Sequence, residues 1–180
     1  MSSTNTTDKQ ALNIAVLTVS DTRTEETDTS GRYLQSVATE AGHHVLYKEI
    51  VIDDKYKIRA LVSNWIASDD IQIVLITGGT GFTARDTTPE ALRPLFDKNI
   101  EGFGELFRHI SYTEIGTSTV QSRALGGMAN GTAIFSMPGS TGACKTAWRG
   151  ILKEQLDSTH KPCNFAIHLK NVQQSCETRG

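Results

Sequence analysis

Residues 71–91 read IQIVLITGGTGFTARDTTPEA, and this stretch decides the fold. It opens with an apolar run, Ile71-Gln72-Ile73-Val74-Leu75-Ile76. Four β-branched residues in six, at strand length, predict a strand buried on both faces. The run then breaks into Thr77-Gly78-Gly79-Thr80-Gly81. Glycines at this density let the backbone take positive φ and approach a ligand closely. The threonines add hydroxyl donors. Arg85 and Asp86 follow, and Thr88-Pro89-Glu90 predicts a helix start: a cap, a fixed φ and an acid in the first turn. Strand, glycine turn and helix start together make a place where an anion can rest on backbone N–H groups. The plainer alternative is a turn that needs glycine for geometry alone. The charged pair on its rim favours a ligand site.

Outward from this centre, residues 13–19 (NIAVLTV) predict the first strand, closed by Ser20-Asp21-Thr22-Arg23. Residues 24–30 form a polar connection, or a mobile flap over a site. Residues 31–41 carry Tyr33, Leu34, Val37, Ala38 and Ala41 on one helical face, with Ser30 as cap and Gly42 as stop. Residues 44–52 return to strand character. His43 and His44 would point to opposite faces there, a poor metal pair. Asp53-Asp54 precedes a helix lined by Ile58, Leu61, Val62, Trp65 and Ile66. From spacing, Asp53 reads most simply as an N-cap. It also reads as a carboxylate at the carboxyl end of a strand, where open α/β sheets bind ligands.

Further on, residues 105–110 predict a short helix. Residues 116–123 are rich in hydroxyls and end in Ser122-Arg123, either a solvated loop or a polar binding surface. Residues 124–137 read as a hairpin turned at Asn130-Gly131. Pro138-Gly139-Ser140-Thr141-Gly142 makes a second turn ahead of a helix with Cys144, Trp148, Ile151, Leu152 and Leu156 on one face. From residue 161 the chain is expected to run irregularly over the surface. The fold class is α/β: a three-layer α/β/α domain with a mostly parallel central sheet and an antiparallel edge hairpin. The expected organisation is a disordered tail at 1–10, a single domain at 11–170 and a C-terminal tail at 171–180.

The chain has 180 residues, 38% of them hydrophobic and 21% charged, which suits one soluble domain with a sizeable core. A net charge of only −2 gives no reason to expect nucleic acid or an anionic membrane as partner. The polar start is no signal peptide, and no run reaches the length of a membrane span. Cys144, Cys163 and Cys176 lack metal-ligand spacing and read as free thiols in a reducing cytoplasm.

Three familiar chemistries fail on inspection. Gly139 to Thr146 nearly matches a P-loop, but Cys144 stands where the second glycine must let backbone wrap phosphate. A dinucleotide fingerprint fails because Gly79-Thr80-Gly81 lacks its third glycine and follows a middle strand. A hydrolase triad has no suitably placed histidine. What survives is a site at the carboxyl ends of the strands: Ser20 and Asp21, Asp53, Thr77, Gly78, Gly79, Thr80, Gly81 with Asp86, and Pro138, Gly139 and Ser140. Glycines and hydroxyls favour phosphate, and carboxylates repel it unless a cation intervenes. The combination points to Mg²⁺ and phosphoryl or nucleotidyl transfer.

At this point a resemblance enters. Thr77-Gly78-Gly79-Thr80-Gly81 with Arg85-Asp86-Thr87-Thr88-Pro89-Glu90-Ala91 resembles the signature of the MoaB/MogA family of molybdenum cofactor biosynthesis proteins. Leu17-Thr18-Val19-Ser20-Asp21, Ser122-Arg123 and Pro138-Gly139-Ser140 match as well. The likeness spans roughly residues 11–169, and its closing part looks like the MoaB branch. The resemblance implies a cytoplasmic three-layer α/β protein that forms a homo-trimer or homo-hexamer and binds molybdopterin, a phosphorylated dithiolene pterin. In active members AMP passes from ATP to the terminal phosphate of molybdopterin, with Mg²⁺. By the same resemblance, two aspartates carry that transfer; as carboxylates beside phosphates they would also hold the Mg²⁺. Asp86 matches the one in an Arg-Asp-x-Thr-Pro segment. Asp53 matches the other by position, although Ile52 and Asp54 replace the proline and glutamate beside it. Ser20, Asp21, Thr77 to Gly81, Ser122, Arg123 and Pro138 to Ser140 are the ligand-binding positions it implies. Some MoaB-branch members lack both acids and the transfer activity. A non-catalytic molybdopterin-binding or scaffold protein is therefore the alternative reading.

Overall fold

The computed structural model describes residues 9–171. One six-stranded sheet, in the order β2-β1-β3-β6-β5-β4, carries the domain. Its strands are β1 (Asn13–Val19), β2 (His44–Val51), β3 (Ile73–Thr77), β4 (Lys98–Asn99), β5 (Leu125–Ala129) and β6 (Thr132–Met137). Strands β2, β1, β3 and β6 run parallel, and β5 pairs antiparallel with both β6 and β4. The expected α/β fold with its antiparallel hairpin is thus observed. The two-residue strand β4 outside the hairpin is an addition, too short to leave a pattern in sequence.

The apolar runs alternate between two cores. Ile14 and Val16 of β1, with Ile73 and Leu75 of β3, face α1 (Thr29–Glu40), α4 (Glu101–Ile115) and α5 (Thr141–Ala147). Ala15 and Leu17, with Val74 and Ile76, face α2 (Lys55–Ala67) and α3 (Thr88–Leu92). All eight strand residues are fully buried. Period-two side-chain direction with helices on both faces explains why the strands read as continuous hydrophobic runs. Each buried Ile or Leu contributes about 1.5–3 kcal/mol. Because α1 and α2 cover opposite faces, the connections diverge between β1 and β3. That divergence opens a crevice at the carboxyl edge, the usual ligand position in such sheets.

Several local expectations need correcting. The cap of α1 is Asp28, whose carboxylate accepts the Gly31 N–H, and not Ser30. The cap of α2 is Asp54, which accepts from Tyr56 and Lys57 N–H at 2.9 Å each; Asp53 does not cap. Thr87 holds the N-cap position of α3, and Thr88 begins the helix. Helix α4 is far longer than residues 105–110, because Phe103 and Phe107 bury one turn apart against Phe135 and its neighbours. The segment after residue 160 does not simply lie on the surface. Ala166 and Leu169 are buried, and Phe165 packs edge-on to Phe135.

Of the expected N-terminal tail, residues 1–8 lie outside the described residues. Lys9 and Gln10 are anchored, by an ion pair to Asp157 at 3.2 Å and a backbone hydrogen bond to the Ser158 hydroxyl at 2.8 Å. Of the expected C-terminal tail, residues 172–180, Cys176 among them, also lie outside. Asn171 reaches the Asp69 carbonyl at 2.6 Å. Among the described residues Cys144 and Cys163 are free thiols. No described helix is long and apolar enough to cross a membrane.

Candidate functional site

The glycine turn after β3 is built by its neighbours. Gly78 and Gly79 take φ of +106° and +64°, a region that side chains avoid. A Cβ on Gly78 would stand 2.1 Å from the Val19 carbonyl oxygen, and one on Gly79 would stand 2.2 Å from the Thr88 hydroxyl. The Gly78 N–H donates to the Met137 carbonyl at 3.1 Å, and the Thr77 hydroxyl donates to the Pro138 carbonyl at 3.0 Å. On the other side the Thr88 hydroxyl donates to the Gly78 carbonyl at 2.9 Å. The turn is therefore clamped between the end of β6 and the start of α3. Among the described residues the N–H groups of Gly79 and Thr80 have no acceptor.

Above this turn lies a cavity of about 440 Å³. Thr18 to Ser20 form one wall, Thr77 to Gly81 the floor, and Pro138 and Gly139 the far side; Ser122 and Asp86 also line it. Of the expected ligand positions, Ser20, Thr77, Gly78, Gly79, Thr80, Gly81, Ser122, Pro138 and Gly139 are brought together here. Three others point elsewhere. Asp21 is held by Arg85, two guanidinium nitrogens meeting its two carboxylate oxygens at 2.9 and 2.8 Å. Ser140 caps α5 by accepting the Ala143 N–H at 3.1 Å. Arg123 sits behind the turn. Its guanidinium donates to the carbonyls of Gly81 and Asp86 at 2.9 Å each and of Thr80 at 3.2 Å, and pairs with Glu90.

The two candidate acids differ in setting. Asp86 lines the cavity, and its carboxylate accepts from both the N–H and the hydroxyl of Thr83. Burial pushes its carboxyl up, but the Thr83 and Gly81 hydrogen bonds and the Arg123 charge outweigh that and hold it below the ordinary value. Asp53 is buried at 7% exposure beneath Gly79, its Oδ2 being 2.7 Å from where a Cβ on that glycine would stand. Burial, with the charges of Asp86 and Asp21 adding to it, raises the Asp53 carboxyl above the ordinary value despite hydrogen bonds from Thr87. A carboxylate pressed by two others is one whose charge a nearby cation would stabilise.

Mg²⁺ takes one or two carboxylates and completes its shell with phosphate oxygens and water; Asp86 offers one in the cavity wall, and Asp53 another beneath the floor. Among the described residues no group of three or more His, Cys, Asp or Glu side chains is placed to hold a metal by itself. An ion here would need the phosphates of a ligand as partners.

Arg23, Asp28, Ser30, Ile115, Ser118 and Gln121 also line the cavity. Ser118 and Gln121 fall in the stretch 116–123 that offered a polar binding surface, and Asp28 and Ser30 in the stretch 24–30 that offered a flap, while Arg23 and Ile115 carried no such expectation. Arg23 had the best signal, two residues after Asp21 in the same polar run. The connection carrying it is no open flap. The Thr24 carbonyl accepts from Thr27 and Asp28 N–H at 3.1 and 2.9 Å, and Asp28 is fully buried between Thr18 and Lys48. Cys144, at the place of the missing P-loop glycine, is buried, donates to the Thr77 hydroxyl at 3.2 Å and has its thiol pushed up to about 11 by burial. It is a core residue.

An open, mostly parallel sheet with a glycine-floored, hydroxyl-walled cavity at its divergence point defines an α/β protein with a candidate ligand site at the carboxyl edge of its sheet. Residues 15–158 match the family model described as a probable molybdopterin binding domain. Molybdenum cofactor biosynthesis protein B of Escherichia coli (strain K12) is 64% identical over 157 residues, 87% of this chain and 92% of that protein. A crystal structure of a molybdenum cofactor biosynthesis protein B superposes with a TM-score of 0.79 at 49% identity, over 82% of this chain and 92% of that one. The tungsten cofactor synthesizing protein MoaB from Pyrococcus furiosus superposes with a TM-score of 0.72 at 40% identity, over 81% and 92%. This chain belongs to the MoaB/MogA family of molybdenum cofactor biosynthesis proteins.

Proposed function

We propose that this protein binds molybdopterin in the glycine-floored cavity and transfers AMP from ATP to its terminal phosphate. The observation that carries the reading is the placement of Asp86 in the wall of a phosphate-suited cavity, with Asp53 just under its floor. A site that only bound an anionic pterin would gain nothing from two acids beside the phosphates. Free N–H groups of the turn and the hydroxyls of Ser20, Thr80 and Ser122 orient phosphate oxygens. Asp86 and Asp53 would hold Mg²⁺, which supplies charge neutralisation between two polyanions and on the departing pyrophosphate. The Arg123 clamp keeps Thr80, Gly81 and Asp86 in register, so that the reactants meet already positioned.

One observation favours the non-catalytic alternative. Both acids serve the local structure, Asp53 by accepting from Thr87 and Asp86 by accepting from Thr83. Incubation with molybdopterin, ATP and Mg²⁺ separates the readings. Adenylylated product supports transfer. Binding without product supports a scaffold role.

The assembly would be a homo-trimer or a pair of them, in the cytoplasm. Tyr112, Ile115 and Val120 are 54–76% exposed at the end of α4 and in the turn after it, apolar surface that a second copy would cover. Light scattering on the full chain tests this, and a monomer at micromolar concentration would overturn it.

A further inference from the structure

We infer that Arg23 is the residue that grips the phosphate of a ligand in the main cavity. The inference rests on reading that cavity as a phosphate site, and it names a residue outside the signature motifs. Among the described residues lining the cavity, Arg23 is the one cationic side chain, against the acids Asp28 and Asp86. Asp28 is paired with Lys48 at 3.1 Å, a lysine that Glu25 shares at 2.9 Å. The other arginines near the turn are engaged with acids, Arg85 with Asp21 and Arg123 with Glu90. Arg23 is different. Its side-chain partner is a neutral carbonyl, that of Thr27 at 2.7 Å. Among the described residues no acid is in ion-pair contact with it, and a guanidinium has five donors, of which that carbonyl takes one.

The backbone that carries this side chain is also held in place before any ligand arrives. The Arg23 N–H donates to the Ser20 hydroxyl at 3.1 Å, and the Thr24 N–H to the Thr27 hydroxyl at 2.9 Å. The loop is braced at both ends, so little ordering entropy remains to be lost on binding. A planar guanidinium with free, paired N–H groups matches phosphate oxygens two at a time. Asp86, on the loop after β3, repels a bare phosphate. The two charges together draw a phosphate toward the β1–α1 wall, beside Ser20.

The test is calorimetric binding of inorganic pyrophosphate, ATP and molybdopterin to the full chain, with thermal unfolding as control. Arg23→Gln should weaken each anion about tenfold or more, the size of a lost charge-assisted bond. Arg23→Lys should stay closer to wild type, and the dependence of binding on salt should flatten in Arg23→Gln alone. If wild type binds pyrophosphate through Arg23 but does not take molybdopterin, the inference stands and the proposed ligand is wrong. Unchanged affinity in Arg23→Gln would overturn it. So would an equal loss in both variants with a lowered melting temperature, which would mean that Arg23 only braces its loop.

Discussion

Asp53 and Thr87 are joined twice: one carboxylate oxygen of Asp53 accepts the Thr87 N–H at 3.1 Å and the Thr87 hydroxyl at 2.9 Å. The bond ties the end of β2 to the N-cap of α3 across the glycine turn. Helix capping of α2 belongs to Asp54, one residue later. The adjacent acids therefore have separable roles. Asp54→Ala should cost about 1 kcal/mol and leave AMP transfer unchanged. Asp53→Asn keeps an acceptor for Thr87, should cost little stability, and should lose transfer by on the order of 10². Paired melting curves and rates decide, and a wild-type rate in Asp53→Asn removes it from the catalytic pair.

Gly79→Ala tests the turn. A side chain here stands where a phosphate should approach, so binding should weaken. The structure adds a cost in stability, because the new Cβ meets both the Thr88 hydroxyl and the Asp53 carboxylate at a positive φ. Both the melting temperature and molybdopterin affinity should fall. Affinity at the wild-type value in the folded variant would make the turn purely structural.

Arg123→Lys should loosen the loop it clamps. Lysine cannot hold three carbonyls and Glu90 at once. Amide exchange at residues 80–86 should quicken, and ligand affinity should drop with it. A drop in affinity with unchanged exchange would instead mean that Arg123 meets the ligand itself.

Much of this could be read from residues alone, for physical reasons. The strand runs, the turn glycines and the Asn130-Gly131 hairpin are local signals, and each held. Asp53 shows where such signals stop. Two acids before a helix look alike in sequence, and only Thr87, 34 positions on, marks which one is buried. Asp21, Ser140 and Arg123 belong to matching motifs, yet their side chains satisfy Arg85, a helix end and three carbonyls. Arg23 needed the folded loop before its unpaired charge became visible.

Acid should destabilise the protein in a defined window. His43 is buried, its Nδ1 accepts the Leu12 N–H at 3.2 Å, and burial lowers its pKa to about 4. The unfolded chain takes up a proton near pH 6.5. Its folded pKa being the lower, His43 contributes stability that is full above pH 6.5 and falls as pH drops toward 4, by at most roughly 3 kcal/mol. Asp157, held at about 2, adds its loss only below the ordinary carboxylate range. Urea midpoints at pH 7.5 and 5 should differ in wild type and differ much less in His43→Gln. Equal shifts in both would assign the effect elsewhere.

The most direct measurement is single-turnover transfer of labelled AMP from ATP to molybdopterin with Mg²⁺, comparing wild type with Asp86→Asn. Asp86 stands in the cavity wall, and its carboxylate is held ionised. The account predicts adenylylated molybdopterin from wild type. It predicts that Asp86→Asn still binds molybdopterin but transfers AMP slower by a factor on the order of 10² or more. Wild-type protein that binds molybdopterin yet forms no product, or an Asp86→Asn variant that transfers at the wild-type rate, would contradict it.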